Sequence, residues 1–232
     1  MTNQSPNVAV VTGAACNPVT AQVCERLAER GWQVAGLDSP APATLLSIEV
    51  DLADRTAVAE AVARAAQELG PISLLITGGL FYEIVPVEEI DPNRWRHMFA
   101  VHLGNVVNAC WAVVPSMLEA GSGTIILVSS EFAIDGTADG WWAAHYAAAK
   151  GSIVGVTRSL GAELAPYGVR VNSVAPGPTE LDHVPATDEY RASLPLRRRL
   201  DLRETVDTVL FMAEEGTYFA GQTISPNAGA VI

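Results

Sequence analysis

The chain is almost without lysine. Of 14 basic residues thirteen are arginine, and Lys150 is the one exception. Arginine stays protonated in proteins, whereas lysine is compact and shifts its pKa readily. The lone lysine is therefore either a chance surface residue or one doing what arginine cannot, and its neighbours decide. The avoidance of lysine also suggests a GC-rich genome. Cysteine is scarce: Cys16, Cys24 and Cys110 lack metal-ligand spacing and are odd in number, so the expectation is buried, reduced thiols in a cytoplasmic protein. No run approaches the ~18 apolar residues that span a bilayer, and the opening MTNQSPN lacks the basic and apolar regions of a secretory signal. Positive charge is short overall. A net charge of −12 argues against nucleic acid or an anionic membrane as a partner.

Apolar residues make up 49% and charged residues 17% of the 232, the composition of a globular chain. Apolar runs at 7–12, 32–38, 45–50, 72–77, 123–130 and 169–175 read as strands buried on both faces. Between them lie helical patterns: Val19, Val23 and Leu27; Val58, Val62 and Ala65; Val106, Ala109, Val113 and Met117. Strands alternating with helices, with no repeat and no Gly/Ser/Pro-rich linker, predict one domain over 1–232: α/β, a doubly wound parallel sheet of Rossmann type with helices on both faces. Ligands of such sheets bind beyond the carboxyl ends of the strands. Thr12-Gly13, Asp38, Asp51, Thr77-Gly78-Gly79, Ser129-Ser130 and Pro176-Gly177 fall at those ends.

Tyr146 and Lys150 lie four apart in HYAAAKGSI, on one face of a predicted helix. A protonated amine beside a phenol favours the phenolate and lowers its pKa from about 10. A tyrosine so tuned exchanges a proton with an alcohol or carbonyl oxygen near neutral pH. Ser130, at the end of the preceding strand, offers a hydroxyl to the same oxygen. A bare YxxxK is common by chance; with the strand-end serine sixteen residues earlier and a Rossmann-like start, it is specific.

With TG at 12–13, Asp38, VDLAD at 50–54, SS at 129–130, YAAAK at 146–150, RVNSVAPGPT at 170–179 and GQTISPNAG at 221–229 in order, the chain resembles the short-chain dehydrogenase/reductase family along nearly its whole length. The resemblance implies that Tyr146 is the catalytic acid/base, that Ser130 orients the substrate oxygen, and that Lys150 tunes the tyrosine and binds the nicotinamide ribose. It places Gly13, Asn17 and Pro18 at the pyrophosphate, Asp51 and Leu52 at the adenine, and Thr77, Gly78 and Gly79 along the cofactor. Pro176, Gly177 and Thr179 would border the nicotinamide, and a short substrate lid would lie around 180–200. Asp38 ends the second strand, where a carboxylate accepts hydrogen bonds from the adenosine ribose and repels a 2′-phosphate, so NAD(H) is favoured over NADP(H). The bland reading of Asp38 is a solvated turn residue before Pro40, and Asp51 reads equally as the cap of a helix starting at Ala53.

The family's turn, TGxxxGxG, is altered here. Its second and third glycines fall on Asn17 and Val19, with Pro18 between. Asn suits an N-cap and Pro the first helical position. Proline lacks an N–H for the pyrophosphate, and Val19 adds bulk where glycine permits close approach. Asn-Asn-Ala-Gly is replaced by Thr77-Gly78-Gly79-Leu80, and the asparagine that supports a proton-relay water by His102. Histidine can hold such a water, with a charge expected to vary between about pH 5 and 8, or can be a satisfied helix residue. The short SPAPAT crossover and FAVHLG resemble the branch that oxidises cyclic dihydrodiols, and Trp141 and Trp142 read as a wall for a flat substrate or as core and interface. Helices around 92–119 and 142–165, apolar on more than one face, and the tail Ala228 to Ile232 resemble the family's contact surfaces and imply a homotetramer, with a dimer next. A relative of the same fold without redox turnover, catalysing dehydration or cyclisation or serving as a binding subunit, is the competing expectation.

Overall fold

The computed structural model describes residues 7–37, 46–79, 81–135, 143–179 and 187–231. Seven parallel strands form its centre: β1 (Val8–Thr12), β2 (Gln33–Leu37), β3 (Leu46–Ile48), β4 (Ile72–Thr77), β5 (Gly123–Val128), β6 (Val169–Val174) and β7 (Thr223–Ile224). They are ordered β3-β2-β1-β4-β5-β6-β7. All five residues of β1 are buried. Alternation along the strand sends Val8 and Val10 into one core, with Val58, Val62, Val106, Val113 and Ile153, and Ala9 and Val11 into the other, with Val23, Leu27, Val206 and Leu210. A strand covered on both faces needs an unbroken apolar sequence, which is why these runs are legible. Two-residue β7 shows no period and is missed.

Helices α1 (Pro18–Glu29) and α8 (Leu202–Leu210) cover one face, and α5 (Phe132–Asp135) and α7 (Asp188–Ser193) are short. On the other lie α2 (Arg55–Leu69), α4 (Asn105–Ala120) and α6 (Ala144–Leu164). Helix α2 starts two residues later than expected. Asp54, not Asp51, caps it, accepting from the amides of Thr56 and Ala57 at 2.9 and 3.1 Å. Asp51 accepts from the Ala53 amide at 2.9 Å in the turn before.

Helix α3 (Pro92–Phe99) passes through a π-helical turn at Ala100–Gly104 into α4, giving 29 continuous helical residues from Pro92 to Ala120, long and apolar enough by themselves to cross a membrane. The sequence reading of no membrane-length run is corrected to that extent. The apolarity has a local cause: Val106, Ala109, Val113 and Met117 fill the core, while Val107, Trp111 and Leu118 are exposed. The thiols also differ from expectation, since Cys24 and Cys110 are buried but Cys16 is exposed. Burial pushes the Cys110 thiol up to about 12. In the tail, Ala228 is buried and its carbonyl accepts from the Leu196 amide, while Ala230 is exposed and Ile232 lies outside the described residues.

The chain leaves β1 toward β2 and β3 on one side and returns to β4 on the other, so the switch in strand order lies between β1 and β4. The crevice beyond their carboxyl ends is where such a sheet receives a ligand.

Candidate active site

At the β1 end of that crevice the backbones of two loops nearly touch. Gly13 has φ +71°, and a Cβ there would lie 2.3 Å from the Gly78 carbonyl. The Gly78 amide donates to the Thr12 carbonyl at 3.2 Å, joining the two loops. Asn17 caps α1, its Oδ1 accepting from the Val19 amide at 2.9 Å, and its Nδ2 reaches the Gly79 carbonyl at 3.5 Å. Pro18 is the first helical residue. Of the amides that open α1, one is therefore absent and the next is held by the cap. Val19 behaves differently from expectation: it is buried and packs with Val11, Val23 and Leu74, so its bulk lies in the core.

At the β4 end several buried polar atoms converge. His102 in the π-helical turn is 2% exposed, and its Nε2 donates to the Phe81 carbonyl at 2.8 Å. That bond fixes the tautomer and leaves Nδ1 a bare acceptor. Burial, followed by the Lys150 charge, holds the imidazole down to about 3. His102 is thus neutral across the range in which the sequence alone gives it a variable charge. Asn105, one turn on, donates from Nδ2 to the Gly78 carbonyl at 2.9 Å. Among the described residues, Thr77 Oγ1, His102 Nδ1 and Asn105 Oδ1 are buried without a hydrogen-bond partner. A Cβ on Gly79 would sit 3.6 Å from both His102 Nδ1 and Asn105 Nδ2.

Tyr146 stands on α6 beside this group. Its ring meets those of Tyr82, His102 and Phe132 edge-on, at centroid distances of 4.8, 5.3 and 6.0 Å. The Lys150 amine lies 5.8 Å from the same ring and donates to the Val128 carbonyl at 3.2 Å. Burial lowers Lys150 to about 8. The lysine is thus interior, as a functional role requires, and stays protonated below that pH. Ser129 Oγ donates to the Lys150 carbonyl at 2.9 Å, tying β5 to α6. Ser130 Oγ accepts only a long bond, 3.4 Å, from the Phe132 amide, so of the two serines Ser130 is less committed.

The remaining sequence candidates are spread around this centre. The Glu131 amide donates to Pro176 O at 2.9 Å and the Gly177 amide to Pro226 O at 2.8 Å, which sets Pro176-Gly177 beside the serine. Thr179 is buried and bridges to Leu200. Leu52 reaches the centre only indirectly, its carbonyl accepting from Asn108 Nδ2 at 2.9 Å. Asp51 is exposed. Asp38, Trp141 and Trp142 lie outside the described residues. Sequence reasoning missed Asn105, Tyr82 and Phe132. Of these only Asn105 had a signal, a polar residue one turn after His102 in an apolar helix.

The unpartnered atoms of Thr77, His102 and Asn105 fit a ligand bearing hydroxyl groups, such as a ribose, and the Gly13–Gly78 approach leaves its backbone path clear of side chains. A nicotinamide dinucleotide therefore fits the β4 end, with fewer backbone donors at the α1 end. The short chain dehydrogenase profile matches residues 7–191, and the chain belongs to that family. It is an oxidoreductase of the dehydrogenase/reductase class. It is 31% identical over 237 residues to 2-dehydro-3-deoxy-L-rhamnonate dehydrogenase (NAD(+)) of Sphingomonas sp. (strain SKA58), covering 95% of this chain and 94% of that protein. To cis-4-hydroxycyclohexanecarboxylate dehydrogenase of Sinomonas cyclohexanicum it is 32% identical over 230 residues, 91% of each. The crystal structure of 3-ketoacyl-(acyl-carrier-protein) reductase from Brucella melitensis complexed with NADH has the same fold, with TM-score 0.88, 23% identity and coverage of 97% of this chain and 98% of that one.

Proposed function

We propose that this chain is an NAD(H)-dependent oxidoreductase that interconverts a secondary alcohol and a ketone on a carbocyclic, aromatic-precursor or polyketide-like ring. The observation that carries this reading is the buried Lys150 amine beside the Tyr146 ring. In oxidation the Tyr146 phenolate oxygen accepts the proton of the substrate hydroxyl, with the Lys150 charge favouring that phenolate, and in reduction the phenol returns it. Ser130 Oγ hydrogen-bonds the substrate oxygen. His102 Nδ1, a fixed acceptor, holds a water or ribose hydroxyl. A bound nicotinamide supplies the hydride acceptor or donor. The relative that acts on a hydroxycyclohexane carboxylate and the rings around Tyr146 support a cyclic substrate. Incubated with NAD and a panel of cyclic secondary alcohols, the protein should form NADH and ketone in equal amounts.

Asp38 and the relative named for NAD(+) support the cofactor choice. NAD(H) should bind more tightly than NADP(H), and Asp38→Ala should narrow the gap. Equal affinities in the wild type would mean that Asp38 points elsewhere.

A second reading, dehydration or cyclisation without redox turnover, is favoured by Pro18 and by the occupied Val19 amide. Inertness toward every alcohol and ketone tested, in protein that converts a substrate without NAD(H), would select it.

The exposed Val107, Trp111 and Leu118 on α4 support a homotetramer, with a dimer next. Arg55 lies over the Trp111 ring at 3.6 Å, covering part of this face. Sedimentation at micromolar concentration should show no stable monomer, and a stable monomer would remove the proposal. The described cysteines form no disulfide, which suits a cytoplasmic setting.

A further inference from the structure

We propose that Glu83 is a positioning residue for Tyr146: through His145 it fixes the start of the helix that carries the tyrosine, and its charge, balanced by Arg94, sets the pH at which the phenol works. The inference rests on the oxidoreductase reading above. Helix α6 begins without a side-chain cap, because Ala143 stands at its N-cap position. His145 gives its first turn another anchor. His145, fully buried and adjacent to Tyr146, places Nε2 3.2 Å from Glu83 Oε2. The other oxygen of Glu83 pairs with Arg94 on α3, and the Trp95 ring lies edge-on to His145 at 6.1 Å. A carboxylate at a helix N-terminus is also favoured by the helix dipole.

Glu83 ends a run of three residues that each hold one part of the site. The Phe81 carbonyl accepts from His102, the Tyr82 ring packs on Tyr146, and the Glu83 carboxylate meets His145. The charged and titratable groups on the elements packed around Tyr146 are Lys150 on its own helix, neutral His102, Tyr82, the Glu83–Arg94–His145 group next to Tyr82 and at the start of the helix, and Glu131, which precedes Phe132; the His97 ring lies 4.7 Å from that of Phe81. Within that set, Glu83 and Arg94 act on the phenol with opposite sign. Removing the carboxylate leaves Arg94 unbalanced and favours the phenolate. Removing the guanidinium leaves Glu83 unbalanced and disfavours it.

The test is the pH dependence of kcat/KM for alcohol oxidation in Glu83→Gln, Arg94→Gln and the double variant, with NADH binding and thermal unfolding measured alongside. The limb assigned to Tyr146 should move to lower pH in Glu83→Gln and to higher pH in Arg94→Gln, by roughly half a unit each. The double variant should fall between them, and kcat should drop more than KM rises in Glu83→Gln. A merely structural pin would lower stability in both and move neither limb. If Glu83→Gln does not fold, the shift in Arg94→Gln alone decides. Limbs that stay put, or move in the same direction, in folded variants overturn the proposal while the wild type still turns over. A wild type without NAD(H) turnover removes the parent reading and this inference together.

Discussion

Phenylalanine in place of Tyr146 should lower turnover by roughly a thousandfold while NADH affinity changes only a few-fold. Positioned general acid–base catalysis contributes on the order of 10²–10⁴ in rate, and the phenol is the group beside the buried amine best placed to supply it. The substitution keeps the ring, and with it the edge-on contacts to Tyr82, His102 and Phe132, so stability should hardly change. Single-turnover rates and a cofactor titration on the same preparation separate the two effects. A variant that keeps more than a tenth of the wild-type rate would show that another group carries the proton.

The second large effect belongs to the β1–α1 turn. Asn17→Gly with Pro18→Ile should tighten NADH binding more than tenfold. The pair restores the amide that proline lacks and releases the Val19 amide from the Asn17 side chain. A hydrogen bond to a charged group is worth roughly 1.5–3 kcal/mol, which is more than tenfold in affinity. Losing the asparagine cap to glycine costs only a few tenths of a kcal/mol. Adding Val19→Gly rebuilds the family's whole turn, and that triple variant should also bind more tightly than the wild type. It should gain nothing over the double variant, because Val19 faces the core. It should also be less stable, since deleting a buried aliphatic side chain costs about 1–3 kcal/mol. Titrations and thermal melts of the three proteins check this order, and a double variant no tighter than the wild type would show that the turn makes no phosphate contact.

The sheet was readable because strands buried on both faces must be apolar throughout: β1, β4, β5 and β6 fall within a residue or two of the runs at 7–12, 72–77, 123–130 and 169–175. The start of α2 was not, because Asp51 and Asp54 are both competent caps and only the backbone selects Asp54, which satisfies two amides. The rarity of Lys150 singled it out but left a surface residue as an alternative, and its burial is visible only in the structure. The neutrality of His102 was not, because it depends on burial and on a bond to the Phe81 carbonyl, 21 residues away. The direction of Val19 escaped the motif comparison for the same kind of reason: a valine in place of a glycine is bulk in a crevice only if its Cβ points there, and here it joins the core. His145 was invisible because its meaning comes from Glu83, 62 residues earlier.

Titration of the wild-type protein with NADH, followed through the fluorescence of its five tryptophans, tests most directly whether the altered turn still serves a working nicotinamide site. Saturable quenching of modest affinity, reversed by excess NAD and strengthened in the Asn17→Gly/Pro18→Ile protein, is the expected result. If neither the wild type nor that folded variant binds any nicotinamide nucleotide, the redox role assigned to Tyr146 and Lys150 is contradicted.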